Sequence, residues 1–279
     1  MPIHDQGYRR YAGTRAPVGQ AWQVIARAGI LGIVRERKFI ALMLFAWAPF
    51  VVRAVQVYLA ANFQQASFLA ATAETFREFL DQQGIFVFFV TIWVGAGLIA
   101  NDRRANALQV YLSKPLTRAE YVAGKLAILF ALLMFVTWTP AMALLLVQIA
   151  FAGSLAFIRQ NLFLVPAITL LSLLQVLLAA MTMLALSSLS KSSRFVGIMY
   201  AGLIFFTSAL FNALRGITGS SGFAWLSPTD ALELLGDVIF RLEPRYDMAP
   251  AVAALVVIAL IAGSGWVLER RVRGVEVVQ

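Results

Sequence analysis

Long apolar stretches alternate with short polar segments along this chain. The apolar stretches cover residues 39–61, 84–100, 126–150, 162–189, 195–214 and 249–268. A helix needs about 20 mostly apolar residues to cross the hydrocarbon of a bilayer. Lipid offers no partner to an unpaired backbone group, so each stretch predicts a membrane-spanning helix. The second stretch is the shortest and is expected to extend at one end. The pattern predicts an all-α integral membrane protein with six spans. Residues 1–279 are read as a single transmembrane domain, since no internal repeat and no linker interrupts the pattern.

Two weaker periodicities flank the spans. Over residues 17–35, Trp22, Ile25, Gly29 and Ile33 fall on one helical face, with Gln20, Gln23 and Arg27 turned away. This predicts an amphipathic helix at the membrane interface that leads into the first span. Between the fifth and sixth spans, Ser227 or Thr229 is placed to cap a short helix over 231–240. Leu232, Leu235 and Ile239 share a face of that helix, which is expected to lie in or dip into the outer interface.

Composition supports this class: 61% of residues are hydrophobic and 13% charged, against about 45–50% and about 25% in soluble domains. With no cysteine, a disulfide scaffold, a thiol nucleophile and a Cys-based zinc site are excluded. The net charge of +9 points to topology and not to nucleic acid. Seventeen Lys/Arg fall on one side of the spans: those before residue 39, those of the 101–125 loop, Lys191 and Arg194, and Arg270, Arg271 and Arg273. The other side has Arg77, Arg159, Arg215, Arg241 and Arg245. Cytoplasmic loops hold the excess of basic residues, so both termini are expected in the cytoplasm of a multi-pass cell-membrane protein. The first 38 residues show no apolar core or small-residue cleavage site, so no removable signal peptide is read there.

The polar residues inside the spans raise few chemical options. Arg53 is costly within a bilayer and is expected to snorkel outward or to pair within the chain, and Pro49 to bend the same helix. Thr137, Thr139, Gln148, Gln175, Thr207, Ser208 and Asn212 are read as interhelical hydrogen-bonders. Glu74, Glu78, Asp81, Asp230, Glu233 and Asp237, between spans, are read as a solvated face. No Asp or Glu falls within the six stretches, which disfavours proton coupling. His4 is the one histidine, no metal-ligand motif is present, and Met181 and Met183 do not share a face.

The 101–125 segment reads NDRRANALQVYLSKPLTRAEYVAGK. Leu108, Tyr111 and Leu112 at helical spacing predict an amphipathic helix over 102–113, which Pro115 stops. Thr117 and Glu120 then form a capping-box pattern, so a second helix should start near Arg118 and run into the third span. A helix, a corner and a stiff helix entering the bilayer can transmit a push. On residue pattern alone the segment is either such a transmitter or a basic loop that sets topology.

The string Leu108 to Arg118, with Asp102 before it and Tyr121, Gly124 and Lys125 after it, resembles the pattern of the ABC-2 type transporter permeases: an acidic residue, then LL-S-x-P-[LV]-[ST]-R, an aromatic and GK. The order of parts is similar along nearly the whole chain, and Leu226-Ser227-Pro228 also resembles family usage. The likeness is to the type that includes permeases of nitrous-oxide-reductase maturation, gliding motility, and drug or bacteriocin export. The resemblance implies six spans, a cytoplasmic N-terminal amphipathic helix, a cytoplasmic coupling helix between spans two and three, and short outer helices between spans five and six. It implies that Asp102, Arg103, Arg104, Leu108, Tyr111, Leu112, Lys114, Pro115 and Arg118 dock an ATPase subunit. It also implies a permease dimer in membrane lipid, with spans two and five flanking a route at its axis, and substrate export. Gly95 and Gly97, with Gly197 and Gly202, would permit close approach there. Gly124-Lys125 is followed by Leu126 and has Ala119 in place of the first glycine of a phosphate-cradling loop. ATP and Mg are therefore expected on the partner subunit, with no cofactor in this chain and no enzymatic activity of its own. An ion-driven transporter or channel, or a non-transporting assembly protein, is the alternative.

Overall fold

A computed structural model describes residues 19–107, 116–151, 157, 159 and 161–272. The first 18 residues, much of the 152–160 loop, the end of the chain after Val272, and Leu108, Tyr111, Leu112, Lys114 and Pro115 lie outside the described residues. Within them the chain is helical and has no strand. Six helices are long and apolar enough to cross a membrane: Arg37–Asn62, Ala73–Arg104, Arg118–Phe151, Leu164–Leu189, Ser193–Thr218 and Pro250–Arg271. All six expected spans are present.

The second span departs most from expectation. It extends at both ends, to 32 residues. Its first helix starts within the polar segment because Thr72 and Thr75 form a reciprocal cap. Side chain and backbone satisfy each other there, so the helix begins well before the apolar run. Three spans are also broken. Helix α1, at Ala21–Val34, precedes the first span, which divides into α2 at Arg37–Ala46 and α3 at Ala48–Asn62. Pro49 sits in the first turn of α3, where its missing N–H costs nothing. The second divides into α4 at Ala73–Val90, a π turn at Thr91–Gly95 and α5 at Ala100–Arg104. The third divides at Thr137 into α6 at Arg118–Val136 and α7 at Trp138–Phe151; Pro140 cannot donate to the Val136 carbonyl. The remaining spans are α8 at Leu164–Leu189, α9 at Ser193–Thr218 and α11 at Pro250–Arg271, with α10 at Pro228–Ile239 before the last.

Spans two, three and four form the interior. Between 50% and 61% of their most apolar windows is buried, against 17–22% for spans one, five and six. Helix α8 is apolar on every side, as a helix surrounded by others should be. Val176, Ala180 and Met183 pack into a core with Val90, Leu129 and Leu133 of the second and third spans.

Helix α1 shows the expected apolar face, but that face meets α6. The two run in the same direction: the Ala21 amide donates to Glu120 Oε1 at 3.4 Å, Ile25 packs over Gly124, and Gly29 packs over Ile128. A Cβ on Gly124 would lie 2.8 Å from Ile25 Cβ and 3.1 Å from the Trp22 carbonyl oxygen.

The apolar face of helix α10 also meets protein. Its face bearing Ala231 and Leu234 is buried with Phe211 of α9 and Ala253 and Val257 of α11. Leu232 and Ile239 pack against a second core that includes Ala167, Ile168 and Leu171 of α8. Ser227 caps it as expected, accepting from the Asp230 amide. It ends where Arg241 takes a left-handed φ of 59° and the Leu242 amide reaches the Asp237 carbonyl at 2.8 Å, a Schellman closure. The Arg241 guanidinium lies over the Phe163 ring at 4.6 Å, which holds a conformation unfavourable to a residue with a Cβ.

Gly124→Ala is expected to lower the thermal unfolding temperature in detergent, since overpacking costs about 1–3 kcal/mol. Gly32→Ala on α1, where a Cβ meets nothing within 4 Å, should leave it unchanged or raise it.

Candidate functional site

The elbow between the second and third spans is built around Asp102. Its Oδ2 accepts from the Tyr121 hydroxyl at 2.7 Å and pairs with Lys125 Nζ at 2.7 Å. Tyr121 is fully buried with Ile99, Leu184 and Leu268. Asp102 therefore ties the end of the second span to the start of the third. Glu120 closes the expected capping box with Thr117 and also receives α1 through the Ala21 amide. Arg103 donates to the Ser188 carbonyl of α8. Arg104 and Arg118 are exposed.

The break before α5 is closed by a residue that sequence reasoning passed over. Ser187 of α8 is fully buried. Its hydroxyl accepts from the Ile99 and Ala100 amides at 3.1 and 3.0 Å and donates to the Ala96 carbonyl at 2.9 Å. One hydroxyl thus uses its donor and both lone pairs. An apolar helix ending in Ser-Ser was the only signal for it.

The helix expected over 102–113 does not run as one piece. Helix α5 ends at Arg104, Asn106 takes a left-handed φ of 51°, and Ala107 is helical again. Asparagine tolerates this conformation better than most residues, so it turns the chain where the apolar spacing predicted continuity.

At the opposite end, three of the six acidic residues read as a solvated face, Asp81, Glu233 and Asp237, form an ion network with two arginines. Arg77 of α4 is 1% exposed and Asp237 of α10 is 2% exposed. Arg77 Nε lies 3.2 Å from Asp237 Oδ1 without hydrogen-bond geometry, and Arg77 donates to Asp81 and, at 2.7 Å, to the Glu233 carbonyl. Arg245 bridges Asp237, Asp81 and Glu233 at 2.8, 3.3 and 3.3 Å. A Cβ on Gly236 would fall 2.3 Å from Arg77 Nε, so α10 approaches α4 this closely only because that residue is glycine. Burial, and then Asp81, raise the Glu233 carboxyl above the ordinary carboxylate range. The long second span also places Glu74, Glu78 and Asp81 on a spanning helix, where the apolar stretches had shown no acidic residue.

A cavity of about 360 Å³ opens beside this network, between α4, α8, α9 and α10. Its walls include Phe88, Phe89, Tyr200 and Phe205, and its polar end Asp81, Gln175, Thr229 and Glu233. The spans expected to flank a route thus share a cavity. Within one chain, a Cβ on Gly197 of the fifth span would lie 3.2 Å from Ile92 of the second. Gly95 faces Met183 and Leu129, Gly97 faces Asn101, and Gly202 meets nothing within 4 Å in the same chain.

The other span polar groups divide similarly. Arg53 pairs with Glu78 at 2.9 Å, the intramolecular alternative. Ser208 bridges α9 to Ser227 and Thr229 at 3.1 Å. Thr137, Thr207 and Asn212 instead bond back to carbonyls of their own span, which satisfies each group locally. Gln175 makes no interhelical bond through its carbonyl: Oε1 is buried without a partner.

Six apolar spans, with an elbow locked to three of them, define a polytopic helical membrane protein. The sequence profile of the ABC-2 family transporter proteins matches residues 23–271. The chain belongs to that family. It is a membrane permease subunit of an ABC transporter and not itself the ATPase; the family works with an ABC ATPase subunit. No curated protein matches the chain.

Asp237→Asn leaves buried Arg77 without its charge partner on α10. Removing one member of a buried pair costs about 3–5 kcal/mol, so a large fall in unfolding temperature is expected. Glu78→Gln removes a half-exposed partner of Arg53 and should shift stability by no more than about 1 kcal/mol. Unfolding of both variants in one detergent measures the contrast.

Proposed function

We propose that this chain is the permease half of an exporter, in which an ATPase subunit docks on the elbow and a second permease copy packs along spans two and five. The observation that carries this reading is the Asp102 node. Because Asp102 holds Tyr121 and Lys125, force applied to the segment between α5 and α6 reaches both spans together. Arg103 on the Ser188 carbonyl and Ser187 across the Ala96–Ala100 break extend that connection to α8. The docking surface is formed by Arg104 and Arg118, both exposed, together with Leu108, Tyr111, Leu112, Lys114 and Pro115. ATP and Mg bind to the partner subunit. The elbow faces the cytoplasm of a cell membrane, with both termini on that side. Ile85, Phe89 and Trp93 of the second span and Ile198, Phe205 and Phe206 of α9 are exposed apolar side chains, and a second copy would cover them. A ligand can drive such a machine only by binding its states unequally. Closure of the ATPases on nucleotide supplies that difference and moves spans two and three.

Reconstitution in proteoliposomes with the cognate ATPase tests the reading. Tyr111→Glu with Leu112→Glu should abolish stimulation of ATP hydrolysis by the permease. Asp102→Asn should keep the ATPase bound while transport per ATP falls several-fold. Undisturbed coupling in both variants would overturn the docking surface.

A further inference from the structure

The cavity beside the ion network combines an apolar, aromatic body with an acidic polar end. Five charged groups meet at that end. Arg77 and Arg245 face Asp81, Glu233 and Asp237, which leaves one carboxylate in excess. Further out, Asp230 accepts from the Tyr246 hydroxyl at 2.8 Å, and Arg215 lies 5.9 Å over the same ring. Those two charges offset each other, so the excess stays negative. The two carboxylates that line the cavity are Asp81 and Glu233.

A second, independent feature points the same way. Gln175 also lines the cavity, and its Oε1 is buried with no hydrogen-bond partner. A buried acceptor left unpaired is costly. Thr229, the remaining polar group at this end, is already engaged with Ser208 and Ser227. The vacant capacity is therefore an acceptor and a negative charge. Beyond it, Phe88, Phe89, Tyr200 and Phe205 line the walls, and aromatic faces attract cations and cover apolar tails.

We propose that this cavity binds a cationic amphiphile, an amine whose protonated nitrogen donates to Gln175 Oε1 and sits against Glu233 and Asp81 while its apolar body lies among the aromatic side chains. The proposal names the substrate class of the permease reading, and rests on it only in placing the cavity on the transport route. A neutral amphiphile leaves the excess carboxylate uncompensated. An anionic one adds a like charge beside Asp81 and Glu233, which a nearby pair of carboxylates already disfavours.

Binding of radiolabelled 4-phenylbutylamine to the purified permease in detergent tests the site without any ATPase. Failure here is therefore separable from failure of the coupling experiment above. 4-Phenylbutanol and 4-phenylbutyrate supply the same skeleton, neutral and anionic. The amine should bind saturably and about tenfold or more tighter than the alcohol, a difference of about 1.4 kcal/mol, and the carboxylate should not compete. Glu233→Gln should weaken amine binding about tenfold with alcohol binding unchanged, and Gln175→Met should weaken amine binding about tenfold. Gln175 Oε1 makes no hydrogen bond in the fold, so Gln175→Met keeps the test open if Glu233→Gln fails to fold. Equal binding of amine and alcohol by the unaltered protein overturns the proposal, as does amine binding indifferent to Gln175→Met.

Discussion

Wherever a span of this protein leaves α-helical geometry, freed backbone groups must find partners inside the bundle, because lipid supplies none. Side chains meet that demand beside two of the three breaks. Gln83 of α4 donates to the Ala46 carbonyl at 3.2 Å, where α2 ends. Ser187 satisfies both amides and a carbonyl around the break before α5. Both of these breaks are thereby defined joints. The joint beside α5 is held by the central helix, so the elbow and the core are parts of one body.

The second span connects the two regions that matter for function. Asp102, at one end, belongs to the elbow; Arg77 and Asp81, near the other, belong to the ion network, and Asp81 borders the cavity. Between them the helix passes through the π turn at Thr91–Gly95, a geometry found often at functional sites. Displacement of the elbow has a continuous covalent path to the cavity wall. Helix α10 closes the far end of that path, and its hold on α4 depends on the buried Arg77 guanidinium lying directly on the Gly236 backbone.

Much of this was readable from local pattern. The Thr117–Glu120 box was visible because a cap is made of residues three apart, and the cap at Ser227 followed from the same logic. Arg53 had to be paired or exposed because a lone cation in a bilayer is expensive. The acidic residues misled for the opposite reason. Glu233 and Asp237 are spaced like an exposed helical face, and their partner Arg77 lies 156 residues from Glu233 in the chain. Likewise, the face of α1 was legible but its occupant was not: apolar spacing is the same whether a helix lies on lipid or on α6.

The sequence by itself determined the six spans, the caps that start several helices, and the absence of thiol chemistry, since each follows from residues within a few turns of one another or from composition. Only the tertiary structure decided which spans are interior. Their mean hydropathies, from 1.7 to 2.4, do not separate the buried three from the peripheral three, because lipid and a neighbouring helix are equally apolar surroundings. It also decided that Ser187 closes a break in another span and that a cavity ends in an unpaired acceptor and a surplus carboxylate. Those properties belong to pairs of residues far apart in the chain, and packing alone brings them into contact.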